Sequence, residues 1–318
     1  MENQSLLANQ KLSEATDILK EAVKVFAKNL NFIIFTIITS LPFFFFLVYY
    51  ETFLQEFLVE TSQILQHNPK YFKHYWPTPL DITRKLDKNF VYQIIQLGSL
   101  YLVPLHLLEL STVLVIVDLA SKIYNEDTSS LTLKGMIEKP FYGTRLKGSL
   151  ITFIYVIFLS TCTLLGLIWL VTTYFVVLRN PSYDILSGLV CGTAFVLLLR
   201  KYLEWHALWN MSLVISILEG LYGVEALALS AYFSKGNERR GYVLMLVFFV
   251  WGQSLRLPCL YFGCFQTELW IVPQMSLFCF GNVLKWVACV VYFHDCKNRI
   301  LEKKSNEDVG IKVEAVDA

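Results

Sequence analysis

Apolar residues arrive along this chain in blocks of about 20 or more, separated by stretches rich in charge and turn-forming residues. A helix rising about 1.5 Å per residue needs about that many to cross a hydrocarbon core roughly 30 Å thick, so each block predicts a transmembrane helix. The first, residues 31–50, carries four consecutive phenylalanines from Phe43 to Phe46 after Pro42 and no charge. The second, residues 91–120, is interrupted by Pro104, His106, Glu109 and Asp118. Residues 149–178 and 185–205 form a hairpin, because Arg179, Asn180, Pro181, Ser182 and Asp184 cluster at a turn between them. The fourth helix continues in apolar character past Arg200 and Lys201 to Leu218, overrunning the bilayer, and is expected to break at Glu219 and Gly220. Residues 241–263 and 270–293 form a last hairpin. The expected fold is all-α, a polytopic helical bundle of about six transmembrane helices.

Positive charge sorts these segments by side, since Lys and Arg are retained in the cytoplasm. The N-terminal stretch and the connections 119–148 and 200–240, with the C-terminal tail, hold nineteen Lys and Arg; the other side holds six. Both termini are therefore expected to face the cytoplasm, with residues 51–90 as an extracytoplasmic loop. Its first half continues helically until Asn68-Pro69. The first apolar block is too long, and its polar-amphipathic lead of 30 residues too extended, for a cleavable signal peptide. The domain organisation read from this pattern is an amphipathic cytoplasmic segment 1–30, a membrane domain 31–296 and a disordered cytoplasmic tail 297–318.

Each hairpin is introduced by a short amphipathic stretch ending in basic residues, which predicts three cytoplasmic interfacial helices and a threefold helix-hairpin repeat. The apolar stripes are Leu12, Ala15, Leu19, Ala22, Val23 and Phe26; then Leu133, Met136 and Ile137; then Val224, Leu227, Ala228, Ala231 and Tyr232. Lys and Arg flanking such stripes reach anionic lipid headgroups.

Composition narrows the function classes. Hydrophobic residues make up 55% of the chain and charged residues 17%, below the quarter or so of a soluble domain. A net charge of +1 provides no broad basic surface, so no nucleic-acid partner is expected. No nucleophile elbow, phosphate loop or HExxH sequence occurs, and the expectation is a non-enzymatic protein without cofactor or metal.

The stretch from Tyr202 to Leu244 pairs Trp205 and Trp209 with an apolar run, then Glu219-Gly220, then Ala226 and Ser230 in a short helix closed by Lys235-Gly236. It resembles a segment of uncharacterised plant multi-pass membrane proteins and, more distantly, the membrane domain associated with bacterial glycerophosphodiester phosphodiesterases. The resemblance covers about 43 residues strongly and the six-span layout weakly. It implies a fold and a membrane address, and no enzymatic activity, because the phosphodiesterase chemistry belongs to a separate soluble domain.

Ionisable groups inside spans are the first functional suspects. His106, Glu109, Arg256 and Lys285 are the intramembrane polar candidates. Glu109 and Lys285 lie at similar depth and are read as a structural pair. Arg256 either snorkels to outer headgroups or meets Gln93 and Gln96. His106 and Glu109 share one helical face, read as a hydrogen-bonded contact rather than half a metal site. Glu204, His206, Asn210 and Glu219 offer a polar cluster at the cytoplasmic surface, against simple packing as the plainer reading. Cys296, beside Lys297 and Arg299, is a candidate for S-palmitoylation, and Cys259 and Cys264 for a disulfide on the opposite face. The sequon at Asn210 falls on the cytoplasmic side and is expected to carry no glycan.

Two functions fit these residues. One is an integral multi-pass protein acting by helix packing and by contact with lipid, a membrane-protein partner or a second copy, in the endoplasmic reticulum or plasma membrane. The alternative is a transporter or channel for a small solute or lipid, suggested by Pro104, Pro258 and Pro273 in or beside spans and by the buried charges. A lipid-modifying enzyme would need a polar cavity holding His106 and Glu109, or His206 and Glu219.

Overall fold

A computed structural model describes the backbone of residues 2–67, 88–125, 143–179, 185–262 and 268–316, and the side chains of 15–59, 91–125, 146–174, 186, 188–258 and 270–302. The described chain is helical throughout: α1 (Glu2–Ala27), α2 (Leu30–His67), α3 (Lys88–Leu100), a π-helical turn (Tyr101–Leu105), α4 (His106–Asn125), α5 (Gly143–Arg179), α6 (Ile185–Leu218), α7 (Val224–Ser234), α8 (Glu238–Phe262) and α9 (Glu268–Val316). Five stretches, 30–59, 91–125, 146–174, 238–258 and 270–302, are long and apolar enough to cross a bilayer, which marks a membrane protein. Large apolar side chains exposed along all of them, such as Phe45, Phe158, Val250 and Leu277, face outward as lipid-contacting residues do.

α6 is continuous for 34 residues, about 50 Å, and its two halves lie in different surroundings. Leu186, Leu189, Val190, Val196 and Leu197 in the first half are exposed, and this half packs on α5, Leu198 beside Gly166 and Gly192 beside Tyr174. Residues 203–217 are instead the centre of the main core, with Met211, Leu213, Val214 and Ile215 buried against Val113 and Ile116 of α4 and Val287 and Val290 of α9. The portion expected to overrun the bilayer is thus the portion packed among the other spans. Its serine side chains fit because they bond within the helix or to α5. Ser212 donates to the Trp209 carbonyl at 2.7 Å, and Thr152 donates to Ser216 Oγ at 3.0 Å.

The break after Leu218 falls where the sequence placed it. Gly220 (φ 73°) and Gly223 (φ 61°) both take the left-handed conformation that side chains resist, so the chain reverses within five residues into α7. Thr152 Oγ1 accepts the Gly223 N–H at 2.8 Å, tying this turn to α5.

The amphipathic helices do not behave alike. α1 buries Ala15, Ile18, Ala22 and Val25 against α8 and α9, so the N-terminal helix docks on protein and leaves Val23 outside. α7 turns its small residues Ala226, Ser230 and Ser234 onto α6 and presents Val224, Ala228, Ala231 and Tyr232 outward. The second amphipathic stretch falls at residues 126–142, outside the described residues. The C-terminal segment also departs from expectation, because α9 runs unbroken to Val316. Between Lys297 and Asp308 it contains no Pro or Gly and is rich in Lys and Glu, so the last span extends as a helix.

Candidate functional site

One end of the bundle is closed by a layer of charge pairs. Lys297 meets Glu219 at 2.6 Å, Arg240 and Arg299 share Asp295 at 3.1 and 3.0 Å, and Lys122 bonds Asp118 one turn back in α4. In the same layer Ser121 Oγ lies 3.2 Å from His294 Nε2. Glu109 lies twelve residues back from Ser121 along α4, and His206 and Lys285 lie twelve residues back from Leu218 on α6 and from Lys297 on α9, about 18 Å of helix in each case. α4, α6 and α9 bring these three polar residues to neighbouring depths.

There the Lys285 ammonium lies 4.0 Å from Glu109 Oε1, and His106 Nδ1 lies 3.3 Å from Glu109 Oε2. The π-helical turn immediately before His106 contains Pro104, whose missing N–H and ring clash unseat the regular i to i−4 ladder. His106 packs edge-on to Tyr101, ring centroids 4.6 Å apart, and edge-on to Phe153. His206 stacks on Tyr202 and keeps its Nδ1 buried without a hydrogen-bond partner. His206 and Lys285 also line a half-open cleft of about 140 Å³, with Asn282 and the rings of Phe248, Trp251 and Phe278. Close helix approach shapes its floor: a Cβ at Gly281 would lie 2.5 Å from the Trp251 indole nitrogen.

Arg256 takes neither partner expected of it. Its Nη2 donates to Glu51 Oε2 at 3.0 Å, and the guanidinium lies 4.7 Å from the centroid of the Phe278 ring. Glu51 falls in the segment expected as an extracytoplasmic loop; it is 2% exposed, because the helix expected to run on to Asn68 keeps its packed face of Leu47 and Tyr50 through Glu51 and Gln55. Gln55, one turn on, donates to the other Glu51 oxygen at 3.3 Å. The sequence did carry a signal for this site. Glu51 and Gln55 stand at i and i+4 in a helix whose apolar residues Leu47, Leu54 and Leu58 continue through the supposed boundary. Gln93, proposed for Arg256, has a buried Oε1 with no partner.

The cytoplasmic cluster of Glu204, His206, Asn210 and Glu219 does not assemble. Glu204 pairs with Arg200 at 3.1 Å and Lys201 at 2.6 Å on its own helix, and Glu219 belongs to the charged layer. Asn210 is buried and donates to the Met245 sulfur at 3.2 Å, which leaves no room for a glycan. Three residues of α6 and Glu219 just past its end lie at different depths, and only His206 reaches the Glu109 level. Cys296 is 0% exposed, so the thiol proposed for S-palmitoylation is enclosed by packing. Cys259 and Cys264 lie outside the described residues. Among the described residues no three His, Cys, Asp or Glu converge as metal ligands.

The chain matches the family model described as a domain of unknown function, DUF8558, over residues 3–295, and it belongs to that family. No curated protein and no solved structure matches it.

Proposed function

We infer that this DUF8558 member is a six-span integral membrane protein that works without chemistry of its own, through helix packing and contact with lipid. α6 supplies the sixth span in this reading, being long enough and masking Arg200 and Lys201 with Glu204. The charged layer at Glu219, Asp295 and Lys297 is the cytoplasmic boundary, both termini lie on that side, and the membrane is the endoplasmic reticulum or plasma membrane. The outward apolar face of α7, followed by Lys235 and Arg239, suits an interfacial helix against anionic headgroups.

The observation that carries this reading is the pairing of intramembrane charge. Arg256 sits on Glu51, and Lys285 and His106 flank Glu109. Between these groups and the charged layer the interior is filled by large apolar side chains, among them Ile116, Met211, Ile215 and Phe293. A conduction path for a small solute is the second reading, favoured by the cleft beside His206 and Lys285.

Cysteine-accessibility scanning separates them. On a cysteine-depleted background in liposomes, positions 106, 109, 256 and 285 are expected to resist a membrane-impermeant thiol reagent, and the exchange Glu109→Lys with Lys285→Glu to restore folding lost in either single variant. Labelling from both faces, relieved by a candidate solute, would replace this reading with transport.

A further inference from the structure

Resting on the lipid-contact reading above, we propose that the cleft between α6, α8 and α9 binds the carboxylate end of a long-chain acid, with Lys285, Asn282 and His206 receiving the head.

The donors at this depth are incompletely used. An ammonium has three N–H donors, and the nearest anion to Lys285 stands 4.0 Å away, beyond hydrogen-bond reach. Its other described contact is the face of the Trp286 ring, 4.8 Å to the centroid. Glu109 meanwhile has His106 on its second oxygen. His206 adds a buried ring nitrogen with no partner, and Asn282 an amide on the helical turn before Lys285. Two donors and an adaptable imidazole around one opening match an anionic oxygen pair, and a carboxylate in a low-dielectric site is stable only beside such a cation.

Size and surroundings select the rest of the ligand. About 140 Å³ is four or five water volumes at roughly 30 Å³ each, room for a carboxylate and its first methylenes. Phe248, Phe249 and Phe278 make the walls apolar. Outside the cleft, Val247 and Val250 on α8 and Leu277 on α9 are exposed apolar side chains, and Trp251 connects them to the cleft wall, so a single chain leaving the cleft lies against them in contact with bilayer lipid. A diacyl phospholipid would have to bring a glycerophosphate and two chains into the same opening.

The test is saturation binding of radiolabelled palmitate to the purified full-length protein in phosphatidylcholine nanodiscs. Lys285→Met is expected to weaken binding about 10- to 100-fold, the range that loss of a charge-assisted hydrogen bond gives, with Lys285→Arg close to wild type. Asn282→Leu and His206→Phe weaken it by smaller factors. Should Lys285→Met fail to fold, Glu109→Gln/Lys285→Met removes both charges and is expected to show the same loss. Methyl palmitate, which keeps the chain and lacks the charge, is expected not to compete. Unchanged palmitate binding in Lys285→Met, or effective competition by the methyl ester, overturns the proposal; competition by phosphatidic acid stronger than by palmitate assigns the site to a phospholipid phosphate and overturns the long-chain acid. The accessibility scan keeps the two readings apart. Charge-dependent palmitate binding in a protein labelled from both faces sinks the packed scaffold and leaves this site standing, whereas full protection without palmitate binding does the reverse.

Discussion

Among the described residues, two acid–base pairs join different helices away from the charged layer, and they are built differently. Glu51 and Arg256 meet at 3.0 Å, with Gln55 on the second carboxylate oxygen and the Phe278 ring beneath the guanidinium. Glu109 and Lys285 stand 4.0 Å apart, and Glu109 has a second partner in His106. The first site gives both carboxylate oxygens a donor; the second leaves the cation with unused donors beside a cleft. A buried pair at contact distance holds helices together, and a loose pair with a spare partner keeps capacity for a third group.

The comparison breaks most decisively at Arg256. Arg256→Met strands a carboxylate that is 2% exposed, and the expected cost is about 3–5 kcal/mol in a denaturant titration of the protein in mixed micelles. A cost near zero would mean that the pair is not a brace. Next comes the looser pair stripped of both partners. His106→Ala with Lys285→Met is expected to approach the Arg256→Met cost, at about 3 kcal/mol, and to exceed the sum of the single variants. Simple additivity would show that His106 does not substitute for Lys285. Lys285→Met alone is expected to cost about 1–2 kcal/mol, because His106 still bonds Glu109 at 3.3 Å. An equal loss at Lys285 and Arg256 in the same titration would erase the distinction. The smallest effect falls to Arg256→Lys, about 0.5–1 kcal/mol, since an ammonium keeps the charge and loses the planar stacking on Phe278.

The same contrast explains what was legible beforehand. Glu109 and Lys285 were paired from depth alone, because each sits in an unambiguous span and counting residues along a helix measures depth. Glu51 was missed because a hydropathy boundary was drawn at Tyr50, although α2 carries its buried face one turn further to Gln55. His206 was assigned to the wrong neighbours for a related reason. The expected end of the fourth span is residue 205, yet Arg200 and Lys201 are satisfied by Glu204 on the same helix and the part of α6 packed among the other spans lies beyond that end. α7 shows the limit of periodicity: Val224, Ala228, Ala231 and Tyr232 of the expected apolar stripe face outward, and the face that packs on α6 is the small one, Ala226, Ser230 and Ser234. Between helices in lipid, close approach favours small residues, so an apolar stripe does not by itself say which side meets protein. At Cys296 the flanking Lys297 and Arg299 suggested a membrane-surface thiol, whereas the helix turns the sulfur inward between them.

Sequence alone determined that the described chain is helical, where its apolar blocks lie, and where α6 ends, because these follow from local hydropathy, helical rise and the Glu219-Gly220 step that closes the apolar run. Only the tertiary structure decided which charge meets which. Partners such as Glu51 and Arg256 are separated by some two hundred residues of chain. Their meeting depends on which helices are neighbours and how each is rotated about its axis, and both are set by packing that no local window contains.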